Sequence, residues 1–222
     1  VFVHLDNELI VELRSVTSEK GRFYTTPEGN EYKSVTTLIS HFTKQKILEW
    51  RRRVGEEEAN RISTRASNRG TSMHSMIEDY LNNKFIEEQY KDKVLPLMLF
   101  KILKPVLDNI NNIHSLEGSL YSDILELAGR VDCIAEYNGE LAIIDFKSST
   151  TEKERGWIDH YFVQACAYAM MYFERTGVKV KKLVILISCE DGGVQVFEEY
   201  DLKKYMKILY KYIKEYEQQT RT

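Results

Sequence analysis

A chain of 222 residues, 43% of them hydrophobic, is long enough for one domain with a sizeable core and too short for two independent enzymes. Its 31 basic and 34 acidic residues leave a net charge of −3, the wrong sign for a protein that holds nucleic acid by overall charge, although the local field of a cleft counts for more than the total. No apolar run approaches the ~20 residues of a membrane span, the start does not resemble a signal peptide, and Cys133, Cys166 and Cys189 lack metal-ligand spacing. A cytoplasmic protein with reduced thiols and no membrane contact is expected.

Residues 1–36 read as β structure with turns: Glu8 to Leu13, Arg22 to Thr25 and Glu31 to Val35, the last two around Pro27 to Asn30. A mainly helical block from 37 to 113 follows, with separate helices over Lys44 to Arg53, Glu56 to Asn82 and Tyr90 to Asn112, the last interrupted by Pro96 and Pro105. On the second helix, about 100° per residue puts Asn60, Ser67, Thr71, His74 and Glu78 on one face and Ile62, Ala66, Met73, Ile77 and Tyr80 on another. His74 is therefore off the apolar stripe. A lone helical histidine is more often structural, but beside the acids described next it reads as a metal ligand through neutral imidazole. Glu78 orients it, holds a second metal or is merely solvated. Arg61, Arg65 and Arg69 point roughly away from His74, so a solvated or salt-bridged face suits them better than a phosphate ridge; Arg51 to Arg53 is ambiguous.

Ser115 to Ser148 is a β segment whose centre carries the strongest signal in the chain. Asn138-Gly139 favours a two-residue type I′ turn, because both positions need φ > 0. Tyr137 then pairs with Glu140, and stepping outward brings Asp132 opposite Asp145 and Arg130 opposite Lys147. Opposed like charges destabilise a sheet, and a divalent cation offsets the repulsion, since two carboxylates are the hard oxygen ligands that Mg²⁺ and Mn²⁺ take. Alternation puts Lys147 on the face of Asp145 and turns Phe146 to the other side. The apolar runs around these acids belong to strands buried on both faces, where a carboxylate needs a partner or an ion. Glu117, in the strand leading to the hairpin, is a further acid of the site or a buried ion-pair member.

After a loop over Ser149 to Lys153, a helix runs to about Arg175 and stops at Gly177, a favourable C-cap residue. His160, Gln164, Tyr168 and Tyr172 recur along one face, with Phe162, Ala165, Cys166, Ala169 and Phe173 as a core face. The first stripe is either half buried against a neighbour or contacts phosphate or a nucleobase. Strands over Lys182 to Ser188 and Val194 to Tyr200 flank Asp191 to Gly193, and a helix from Leu202 to Gln218 closes the chain. This order implies an α/β fold, a mixed central sheet flanked by helices behind an N-terminal β and helical region. One domain over 1–222 is expected, with the α/β core at 114–222.

His74, Gly129 with Asp132, Asp145-Phe146-Lys147 and Gln164 with Tyr168 match, in order, the histidine, GxxD, DxK and QxxxY motifs of the RecB-like branch of the PD-(D/E)XK nucleases, which the chain therefore resembles. Upstream, Tyr32 to Ser40, Leu48 to Arg51 and Gly70-Thr71 with His74 are similar to phage exonucleases related to the mitochondrial genome maintenance exonuclease. The resemblance implies a restriction-endonuclease-like core in which His74, Asp132, Asp145 and the Phe146 carbonyl bind Mg²⁺ or Mn²⁺. It implies that Lys147 positions or activates water, and that Gln164 and Tyr168 act near DNA. Val131 stands where the superfamily's name has proline, and the cysteines that hold an iron–sulfur cluster in some relatives are absent, so no cluster is expected. The expected activity is that of a metal-dependent exonuclease preferring single-stranded DNA with a free end, in phage-type replication, recombination or repair. The alternatives are a structure-specific endonuclease or resolvase on the same fold, and a non-catalytic DNA-binding subunit. Protein partners are not legible.

Overall fold

The computed structural model describes residues 1–5 and 8–220. The described strands are β1 (Arg14–Ser18), β2 (Gly21–Thr25), β3 (Glu31–Ser34), β4 (Ile110–Ser122), β5 (Leu127–Tyr137), β6 (Glu140–Ser149), β7 (Lys182–Cys189) and β8 (Val194–Glu199). They join in one sheet in the order β1-β2-β3-β5-β6-β7-β8, with β4 also paired to β5. Pairs β3–β5 and β6–β7 are parallel and the rest antiparallel. The expected mixed sheet is present.

Helices α1 (Val35–Val54), α2 (Glu56–Leu81), α3 (Val94–Leu107), α4 (Asp159–Thr176) and α5 (Leu202–Thr220) cover its two faces. Strand alternation sorts the core accordingly. Ile143, Leu183, Ile185 and Ile187 pack with α1, α4 and α5, whereas Ala142, Ile144, Phe146, Val184 and Leu186 pack with α2 and α3. Strands β5, β6 and β7 are thus apolar on both faces, as parallel-type central strands must be.

β5 is shared in an unusual way. β4 runs along one edge for the strand's whole length. On the other edge β3 pairs only with Leu127 and Ala128, and β6 only from Cys133 to Tyr137. Gly129 to Asp132 therefore have no strand partner on that side, which leaves a notch between β3 and β6.

Four boundaries differ from the sequence expectation. Glu8 and Leu9 form a turn and residues 10–13 carry no regular structure. The first strand is Arg14–Ser18, because only there does a partner, β2, run alongside. α1 begins at Val35, nine residues early, since the Ser34 hydroxyl accepts from the Thr37 N–H at 3.0 Å and caps it. The third helix is shorter than Tyr90 to Asn112: a 3₁₀ turn at Glu87–Tyr90 precedes α3, and Ile110 already lies in β4, which is irregular between Asn111 and Ser115. Ile62, placed on the apolar face of α2, is exposed, and Arg69 is buried instead.

Candidate active site

The Asn138-Gly139 turn sets the hairpin as expected, with φ of 52° and 80° at its two residues. The register also holds, from Tyr137 with Glu140 to Cys133 with Ile144. There the ladder stops. Asp132 and Asp145 are not ladder partners, and neither are Arg130 and Lys147; Arg130 turns out to Glu12. In place of a ladder bond, the Phe146 N–H donates to the Asp132 carboxylate at 2.8 Å. The strands part at the two acids, and the fork there is the notch on β5.

Around that fork, groups from four further elements, β4, α2, β6 and α4, join Asp132 of β5. β4 supplies Glu117, which stands between Leu116 (paired with Cys133) and Gly118 (paired with Val131) and so faces Asp132. Its φ of 48° is left-handed, a conformation that costs a non-glycine residue about 1–2 kcal/mol. Such strain inside a strand concentrates at functional sites. α2 supplies His74, whose Nε2 donates to the Phe146 carbonyl at 2.8 Å, while Nδ1 lies 3.7 Å from Glu117 and 3.8 Å from Asp132. Burial alone would lower the His74 pKa, but Asp132 and Glu117 raise it to about 9. In the metal-free protein an imidazolium is the cation between these carboxylates.

β6 supplies the acid–lysine pair. Asp145 follows Ile143 toward α4 and is buried; the Lys147 Nζ sits 2.7 Å from its Oδ1 and 2.6 Å from its Oδ2. The contact to Oδ2 is ionic only, and this buried oxygen has no hydrogen bond. Burial pushes the Asp145 carboxyl above its usual range, against the pull of Lys147. Lys147 would be lowered by burial, yet Asp145 and Asp132 hold it above the ordinary lysine value, so it is an ammonium. Over it lies a group the sequence reading missed, the ring of Tyr161, 5.1 Å from Nζ. Its spacing, three residues before Gln164 on the same helix, was the available signal.

His74, Glu117 and Asp132 each offer a ligand atom, all within 4.8 Å of one another. One nitrogen and carboxylate oxygens suit Mn²⁺ and, less closely, Mg²⁺. The carbonyl of Phe146, 2.8 Å from His74 Nε2, is a further oxygen donor beside the triad, so the residues present fit a divalent cation. Compared with the expected set of His74, Asp132, Asp145 and Phe146, the grouping promotes Glu117 and leaves Asp145 held by Lys147. Continuing the β4–β5 register to Asp132 was the signal for Glu117.

The remaining candidates separate. Glu78 joins Gly70, Thr71, His74, Ser75 and Glu117 around an open depression of about 340 Å³ beside the cluster. Burial and Glu117 raise its pKa, which places it near the acids and outside the compact triad. Gln164 is half-buried and its amide points to the Tyr168 hydroxyl at 3.4 Å. The stripe of rings available to bases is a correction: Tyr168 and Tyr172 are buried, and the Tyr172 hydroxyl meets His114 Nδ1 at 2.8 Å. α4 has its neighbours on both flanks, and helical periodicity alone does not say so. Phe173, assigned to the core, is exposed. Tyr168 instead explains Gly129: a Cβ there would stand 2.8 Å from the Tyr168 ring and 2.9 Å from its hydroxyl, so the glycine and the tyrosine are one packing unit.

The three α2 arginines form ion pairs, as the plainer reading expected: Arg61 with Glu58, and Arg65 and Arg69 both with Glu190. Arg69 also binds the Ser148 hydroxyl at 3.1 Å and its carbonyl at 3.3 Å, which fastens α2 to β6 one residue past Lys147. The cysteines are free and buried, and burial raises their thiols out of the reactive range.

A mixed sheet that forks at two acids, with a lysine two residues along the second strand and a histidine and a third acid beside them, is a nuclease-type core with a candidate metal-binding triad. The chain belongs to the PD-(D/E)XK nuclease superfamily, which residues 90–219 match. It is similar to the human mitochondrial genome maintenance exonuclease 1, with 26% identity over 179 residues, 75% of this chain and 52% of that protein. The Xenopus tropicalis protein of the same name is 27% identical over 157 residues, 65% of this chain and 43% of its own length. The chain thus spans about half the length, or less, of these curated relatives. A solved structure from Eubacterium rectale aligns with 64% of this chain and 62% of its own at 11% identity and a TM-score of 0.46. Among the described residues no helix is long and apolar enough to cross a membrane.

Proposed function

We propose that this protein is a metal-dependent deoxyribonuclease of the RecB-like branch, an exonuclease that takes single-stranded DNA from a free end and uses Mg²⁺ or Mn²⁺ in phage-type replication, recombination or repair. One observation carries the reading: His74, Glu117 and Asp132 lie within 4.8 Å of one another beside the Asp145–Lys147 pair. Similarity to the human exonuclease over three quarters of the chain supports the exonuclease part. So does the mostly helical region before the core, which offers material to enclose one strand.

A divalent cation bound there supplies Lewis-acid polarisation of the phosphate and a more acidic water. The chain's own residues do the rest. Asp132 is aimed by the Phe146 N–H. Lys147, an ammonium clasped by Asp145, stabilises the charge that develops on the phosphate oxygens. His74 would have to give up its extra proton to serve as a ligand there. Gln164 and Tyr168 brace the β5 edge from α4, Tyr168 through its contact with Gly129.

End-labelled single- and double-stranded DNA, linear and circular, incubated with Mg²⁺, Mn²⁺ or EDTA, tests this. Linear single strands should be consumed, closed circles should resist, and EDTA should stop the reaction. A circle cut as fast as a line replaces the free-end requirement with the endonuclease reading.

A further inference from the structure

The loop that leaves β6 after Lys147 returns as α4, so it joins the strand of the acid–lysine pair to the helix of Tyr161. It ends on an exposed tryptophan. Trp157 is 61% exposed, whereas the chain's other tryptophan, Trp50, is half-buried on α1. The exposure does not come from a loose loop. Lys153 is tied to the Gln195 amide through its N–H at 2.7 Å and its carbonyl at 2.9 Å. Arg155 binds Asp159 at 2.8 Å, Glu199 at 2.9 Å and Tyr205 at 2.5 Å, and the next residue after the tryptophan, Ile158, is buried. A large ring held open to water on a fixed backbone loses little further freedom when a partner stacks on it.

Trp157 closes the 3₁₀ turn Arg155–Trp157 that leads into α4, whose first turn carries His160 and Tyr161. The His160 ring lies 4.1 Å from that of Tyr161, over which the Lys147 Nζ sits at 5.1 Å. We propose that Trp157, backed by His160 and Tyr161, is the platform on which one unpaired nucleobase of the substrate stacks while its neighbouring phosphate lies at Lys147. The inference rests on the deoxyribonuclease reading and deepens it. Bases in a duplex are covered on both faces, so an exposed ring on the turn leading into α4 selects a strand whose bases are free. It also supplies the stacking surface that the buried Tyr168 and Tyr172 do not.

The test uses the full chain with Ca²⁺ and oligo-dT, whose integrity is checked on a gel. In the W50F variant all tryptophan emission comes from Trp157, and it should be quenched as DNA saturates the protein. By anisotropy of a labelled oligo-dT, W157A should bind about tenfold more weakly than wild type and W157F should recover most of the loss. On an abasic oligonucleotide of the same length, wild type and W157A should bind alike. Saturating anisotropy without quenching, a W157A affinity within about twofold of wild type, or an equal loss on abasic DNA each overturns the platform. Wild-type protein that binds no DNA at all overturns the deoxyribonuclease reading, and the platform falls with it.

Discussion

In the proposed reaction Asp132 and Lys147 act on the same phosphate from two strands, β5 and β6, so neither replaces the other. Asp132→Asn, Asp145→Asn and Lys147→Ala should each slow cleavage of a labelled oligonucleotide by about a hundredfold or more while DNA binding stays within a few-fold. Near-wild-type turnover in any of the folded variants would move the active site elsewhere. His74 gives a pH signature. Its pKa in the folded, metal-free protein is raised to about 9 from an unfolded value near 6.5. The stabilisation it brings is complete below the unfolded value and fades as pH rises through 9, when the imidazolium is lost. Metal ligation needs the neutral ring, so Mn²⁺ affinity should climb by about tenfold per pH unit between 7 and 9 and then level off, as calorimetry at several pH values would show. His74→Ala should lose that climb. Glu117 holds a left-handed backbone inside a strand. Above pH 9, where the His74 imidazolium that Glu117 faces is lost, Glu117→Gly should raise the metal-free stability by about 0.5–1 kcal/mol in denaturant titrations, and it should weaken Mn²⁺ binding, the opposed pair of effects expected of strain retained for function. A variant that loses stability and keeps its metal affinity would make Glu117 structural.

At the scale of elements, α4 and β5 meet through the contact of Tyr168 with Gly129. Gly129→Ala forces the added methyl into the tyrosine ring, and overpacking of this kind costs about 1–3 kcal/mol. The midpoint of thermal unfolding should fall, and cleavage should fall further than stability alone accounts for, because Asp132 is three residues along the displaced strand. What the sequence made legible at this scale is uneven for physical reasons. Asn138-Gly139 is a local device, and from it the register ran correctly to Cys133 and Ile144. Beyond it the Asp132 side chain takes the Phe146 N–H in place of a ladder bond, which a rule of pairing does not contain. α1 went unread at its start because Val35, Thr36 and Thr37 have β-branched side chains, and the decisive event is a capping bond from Ser34. On α4 the period identified one face correctly, but whether that face meets water depends on elements distant in sequence. His74 and the Asp145–Lys147 pair were legible from spacing. Glu117 reached the triad only through the strand register, and Tyr161 through a contact across two elements.

At the scale of the molecule, a net charge of −3 and a site crowded with Glu78, Glu117, Asp132 and Asp145 repel a polyanion. A divalent cation offsets part of that negative charge. Affinity for single-stranded DNA should therefore be several-fold higher with Ca²⁺ than with EDTA at matched ionic strength, and the gain should shrink in Asp132→Asn. Equal binding in both conditions would put the DNA contacts away from the metal cluster. The fork in the sheet has one more consequence. Where β5 and β6 part, the Phe146 N–H leaves the ladder and is held by the side chain of Asp132, while the carbonyl of the same residue is held by His74. Both polar groups of one peptide backbone are thus tied to the side chains that would receive the metal. The nuclear magnetic resonance of that single amide proton registers occupancy of the site from within the protein, without substrate and without turnover.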